Sequence, residues 1–183
     1  MKKIKKWIIA GLIIPLLVWT CRVVSENEGG DQGVDNFILE VDEISGWTEA
    51  SIYKFDVNNC HHDAGLNGGA QKYVDEGMVR GFRQIMRTTD YEADIFVMDF
   101  GNSTNATNMF NRMSTDYKNN KMPIEGYAET VVITEENLSG VNTSAHFDRF
   151  FIEIKFTGYL NKAESRVTAQ GFIQTFEGKV PAK

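Results

Sequence analysis

The sequence predicts an α+β fold: a largely antiparallel sheet packed against two to three helices, in the approximate order ββα-ββα-ββα. Three observations carry that expectation. Short runs with two-residue alternation recur along the chain, most clearly where Phe150, Ile152, Ile154 and Phe156 share one side and Glu153 and Lys155 face away. Three other stretches repeat their apolar residues every three to four positions, as an amphipathic helix does. The two patterns alternate in short blocks, which suits helices layered on a mainly antiparallel sheet.

In chain order, "NFILEVDEI" (36–44) reads as a first strand and "GWTEASIYKFDV" (46–57) as a second. Ala70, Tyr73, Val74 and Met78 then mark a helix, weakened by Gly77 and ended by Gly81. "FRQIMRTTDYEADIFVMDF" (82–100) reads as two strands meeting around Thr89–Glu92. Asn102, Ser103 or Thr104 can cap the next helix, whose face carries Ala106, Met109, Phe110, Met113 and Tyr117. "YAETVVIT" (127–134) and "HFDRFFIEIKFTGY" (146–159) are strands joined by a polar turn. A last helix over 161–179 is expected to start at Asn161 and to bury Ala163, Val167, Phe172 and Phe176.

The N-terminus assigns a compartment. "MKKIKK" is a basic run, and "WIIAGLIIPLLVW" is an apolar run of thirteen residues. That is short of the roughly 20 residues of a membrane span and right for an export signal. The run ends in "LLVWTC", so Cys21 stands where a bacterial lipoprotein carries its lipidated cysteine; an uncleaved anchor is the alternative. Either way the chain is expected outside the cytoplasm, in the periplasm or at the cell surface, and tethered to a membrane. Residues 1–21 are thus the signal, 22–36 a flexible Gly-bearing tether and 37–183 a single domain. Four of the nineteen basic residues lie in the leader and none of the twenty-five acidic ones does, leaving the rest at 15 − 25 = −10. That field disfavours nucleic acid.

The chemistry-bearing stretch is "NNCHHDAGLNGGA" (58–70). Neighbouring side chains on an extended chain diverge, so Cys60, His61, His62 and Asp63 cannot all grip one ion. At best Cys60 with His62, or His61 with Asp63, could serve, and a site built on Cys60 and His62 would need His146 to join them, a donor set that suits zinc or copper. The bland alternative is a polar loop leading into a helix, with no cofactor. Asn67, Gly68 and Gly69 can cap the helix and present backbone N–H groups to an anion, or merely permit close packing. No Gly-x-Ser-x-Gly or other nucleophile signature is present, so no catalytic residue is assigned.

Gly46-Trp47, "LNGGAQKYVDEGMVRGF" (66–82) and "DIFVMDFGNSTNATNMFNRM" (94–113) occur in an order and spacing that resembles the DUF6599 family of bacterial secreted and lipoprotein-like proteins. Asn67, Gly68, Gly69, Ala70 and Tyr73 match its first element, Gly81 and Phe82 its second, and Asp99, Gly101, Asn105, Ala106 and Phe110 its third. Gln71 stands where that family usually has Glu, and Phe100 intrudes between Asp99 and Gly101. The resemblance spans about residues 46–176 and implies the fold and the compartment, with no activity to carry over. The sequence therefore points to a non-enzymatic envelope module that binds a protein or small ligand. The alternatives are a metal- or haem-handling accessory protein and, last, a hydrolase-like enzyme.

Overall fold

The structure is a computed structural model, and it describes residues 33–62, 66, 69–116, 132–136, 141–158 and 162–180. All of them belong to the compact unit Gln32–Lys183. Among the described residues six strands form one sheet: β1 (Thr48–Asp56), β2 (Arg80–Arg87), β3 (Glu92–Asp99), β4 (Val132–Glu136), β5 (Val141–Phe147) and β6 (Phe150–Thr157). Their spatial order is β1-β2-β3-β6-β5-β4, and every neighbouring pair is antiparallel. Helices α1 (Ala70–Asp75), α2 (Ser103–Asp116) and α3 (Lys162–Gly178) complete the α+β fold.

Helices cover both faces of the sheet, which therefore separates two cores. On the first face Phe172, Ile173 and Phe176 of α3 meet Ile95 and Val97 of β3 and Ile152, Ile154 and Phe156 of β6. Trp47 stacks edge-on against Phe172 at 5.1 Å between ring centroids. On the second face Tyr73 of α1 and Met109, Phe110 and Met113 of α2 cover Met98 and Phe151. The two-residue alternation of β3 and β6 is thus apolar toward each core in turn, as a strand buried on both sides requires. Gly81 lies where β2 is crossed most closely: a Cβ there would stand 2.5 Å from the Val97 carbonyl oxygen and 2.7 Å from the Phe55 ring.

Several expectations need correction. Residues 36–44 are not a strand; a 3-10 turn (Val34–Phe37) leads into irregular chain that bends at Asp42 and Gly46, both with positive φ. Phe37 and Leu39 are buried as their alternation implies. The Leu39 backbone, however, is paired by a side chain: its N–H donates to Gln84 Oε1 at 3.0 Å and its carbonyl accepts from Gln84 Nε2 at 2.8 Å. Val34 is already buried, so the packed chain starts before residue 37. The single strand expected over 146–159 is two, β5 and β6, because Asp148 takes φ +51 and turns the chain back so that Phe147 pairs with Phe150.

Helix α1 stops at Asp75, where Gly77 (φ +91) supplies the left-handed residue, and Gly81 belongs to β2 instead. In α3 the buried side is Ser165, Ala169, Phe172, Ile173 and Phe176, whereas Ala163 and Val167 are exposed. The expected cap of α2 is Asn102, whose Oδ1 accepts the Asn105 N–H at 2.9 Å. The strand start at 127–131, Tyr117 and Asn161 lie outside the described residues.

Candidate ligand-binding site

The loop after β1 is wound by its own polar side chains. The Asn58 N–H donates to Asp56 Oδ1 at 2.7 Å, the Asp56 N–H to Asn59 Oδ1 at 2.8 Å and the Cys60 N–H to the Asp56 carbonyl at 3.0 Å. This turn drives Cys60 into the second core beside Ala70 and Tyr73 and leaves His62 exposed. Burial pushes the Cys60 thiol above its ordinary pKa, against weaker help from backbone N–H groups, so the free thiol stays protonated at neutral pH. His146 sits on β5 with its ring 4.9 Å from that of Phe110. Four strand steps separate β1 from β5, on the order of 19 Å at about 4.8 Å per step. Among the described residues no three His, Cys, Asp or Glu side chains converge as a metal set.

At the start of α1, Gly69 occupies the cap position and no side chain caps the helix among the described residues. Its N–H donates to the Leu66 carbonyl at 2.9 Å. A Cβ at Gly69 would meet nothing within 4 Å among the described residues. Asn67, Gly68, Asp63 and Cys21 lie outside the described residues.

The polar groups the structure does gather include Tyr73 and Asp99 of the resemblance's motifs, but the sequence assigned none of them a role in a site. Glu153, expected to face away from the apolar side of its strand, is 2% exposed because α1 lies over its side of the sheet. It accepts the Tyr73 hydroxyl at 2.5 Å, and Lys155 Nζ stands 3.7 Å from its other oxygen. Next to it Arg83 grips Asp94 with two bonds of 2.7 and 2.9 Å, and the Arg83 and Lys155 cations both lie over the Phe96 ring. At the far end of β3, Asp99 is almost fully buried. Arg149 (3.3 Å) and Arg80 (3.6 Å) flank it, and the Gly101 N–H donates to it at 2.8 Å.

Between the Val34–Phe37 turn and the strands β1 and β2 lies an open hollow of about 170 Å³. Its floor is Phe55 and Gly81, and its rim carries Asp35, Lys54, Arg80 and the backbone at Gly33. Lys54 and Asp35 form a well-exposed ion pair across it at 2.8 Å. A Cβ on Gly33 would stand 3.3 Å from Arg80 Nη2, so a terminal guanidinium nitrogen rests against this glycine. Here a concave surface and charged groups coincide. Apart from Gly81, which falls in a motif of the resemblance, no sequence signal marks it, since its parts come from three segments up to about fifty residues apart.

No known family model matches the chain, and no curated protein matches it in sequence. Its fold is nevertheless shared with a solved structure, the extracellular domain of PknH from Mycobacterium tuberculosis. The two align with a TM-score of 0.56 over 79% of this chain and 95% of that one, at 11% sequence identity, a likeness of fold alone.

Proposed function

We propose that this chain is an exported protein, held to a membrane by its N-terminus, whose folded domain binds a small ligand or an envelope protein and does not catalyse a reaction. The observation that carries the reading is the fold shared with an extracellular domain over nearly the whole of that domain. The leader and Cys21 supply the tether, and the resemblance to DUF6599 motifs points to the same compartment. The buried acids Glu153 and Asp99 are engaged by Tyr73 and by arginines, and the reading assigns them no chemistry. The acidic excess beyond the leader argues against nucleic acid as the partner.

Native mass spectrometry of the full chain, extracted from membranes in mild detergent without chelator, tests both halves of this reading. The chain is expected in the membrane fraction, with a covalent lipid increment that is lost in Cys21→Ser and a non-covalent increment that is lost on denaturation. Recovery of the chain in the soluble fraction with its leader intact would overturn the tether. A non-covalent increment removed by chelator and absent from His62→Ala would replace the small-ligand reading with a metal-handling one.

A further inference from the structure

The rim of the hollow runs against the charge of the molecule. Beyond the leader the chain carries a net −10, yet the hollow is edged by two cations, Lys54 and Arg80, and one carboxylate, Asp35. The Lys54–Asp35 pair is more than half exposed on both sides, so opening it costs little. Arg80 is anchored from Nε toward Asp99, at a distance longer than a hydrogen bond. Asp99 divides its charge between Arg80, Arg149 and the Gly101 N–H, and so neutralises Arg80 only in part.

Size narrows the ligand. Pockets for drug-sized ligands and cofactors occupy roughly 300–1,000 Å³. The hollow's 170 Å³ holds about five or six waters' worth of liquid and admits one compact polar group. No side chain fills it from Gly81, where a Cβ would strike the Val97 carbonyl. A planar guanidinium offers two parallel N–H donors to an oxyanion, and an ammonium adds a point charge. A phosphate dianion carries twice the charge of the Asp35 carboxylate, which is exposed enough to turn toward solvent when Lys54 leaves it.

We infer that this hollow is a seat for a phosphate group, with Arg80 donating to two of its oxygens and Lys54 leaving Asp35 to meet a third. The inference rests on the reading of the domain as a binding module and names the ligand class for it. The phosphate is either free in solution or the headgroup of a phospholipid.

The test is thermal unfolding of the full chain in an uncharged detergent, titrated with inorganic phosphate at fixed ionic strength, with acetate as the control anion. Phosphate is expected to raise Tm saturably and acetate not to. Lys54→Gln, a change at an exposed side chain, is expected to weaken the apparent phosphate affinity on the order of tenfold. Arg80→Gln is expected to abolish the response. A phosphate response unchanged in Lys54→Gln, or no response in the wild type, overturns the seat. An acetate response equal to that of phosphate and lost in Lys54→Gln overturns the phosphate assignment and leaves the binding-module reading standing. Glycerol 3-phosphate binding more tightly than inorganic phosphate supports the seat with a lipid headgroup as the source. Weaker binding supports it with free phosphate as the source.

Discussion

Glu153 shows what a single buried charge asks of its neighbours. A carboxylate taken out of water on a central strand must be given donors, or its desolvation destabilises the fold. Here the Tyr73 hydroxyl, eighty residues away, supplies the close bond, and Lys155 stands farther off at 3.7 Å. Tyr73→Phe removes the donor with almost no change of volume and leaves the acid buried. It is expected to lower stability by about 1–3 kcal/mol in urea unfolding. In the Glu153→Met background the same substitution is expected to cost far less, giving a coupling of about 1 kcal/mol or more in the double-mutant cycle. Equal effects in both backgrounds would mean that the hydroxyl and the carboxylate do not act on each other. The alternation around Ile152 and Ile154 correctly sent Glu153 to the opposite face. What alternation cannot say is whether that face meets water or a helix, and so both the burial of Glu153 and its partnership with Tyr73 escaped the sequence.

At the level of elements, helix α2, the extent of α3 though not all of its buried face, and the hairpin β2–β3 were legible because each is specified locally. An Asn cap, a 3.6-residue apolar stripe and a Thr-Thr-Asp turn need no knowledge of the rest of the chain. The stretch 38–47 was not, because beyond its local turns it is held by the Gln84 side chain and by the end of α3. Lys179 donates to the Ile38 carbonyl at 3.1 Å and to Glu43 Oε1 at 2.7 Å, clasping the irregular segment to the helix. Burial works to raise the Glu43 carboxyl, but Lys179 and the Glu40 N–H together outweigh it and hold the group below its ordinary pKa. A depressed folded-state pKa stabilises the fold above the unfolded value, near about 4.3 for Glu, and that contribution is lost as pH falls through the folded value. Replacing Lys179 with Met keeps much of the stem and removes the charge. Between about pH 5 and pH 3 the wild type is expected to lose about 0.5–1 kcal/mol more stability than Lys179→Met, in line with a partly exposed pair. Parallel pH profiles for the two proteins would show that the clasp contributes no charge-dependent stability.

For the molecule as a whole, the decisive feature is the pairing of β3 with β6, which joins segments about sixty residues apart and sets the order β1-β2-β3-β6-β5-β4. Periodicity reports which faces of a strand are apolar and says nothing of which strand lies beside it. The strand order and the two-sided core were therefore out of reach, while the fold class was not. The same order predicts a gradient of stability. In β6, between β3 and β5, alternate N–H groups bond to one neighbour or the other, and both faces are covered: Phe150, Ile152 and Ile154 on one side, Phe151 and Glu153 on the other. β1 is an edge strand whose alternate N–H groups point away from β2, its register shifts between Glu49 and Ser51, and Tyr53 is 47% exposed. Native-state hydrogen exchange is thus expected to find the β3 and β6 amides opening only with global unfolding, with the full denaturant dependence of that transition. The β2-bonded amides of β1 are expected to open at lower free energy and with a shallower dependence. Equal protection in β1 and β6 would mean that the edge is covered by something bound to it, and would make β1 the first place to look for the partner.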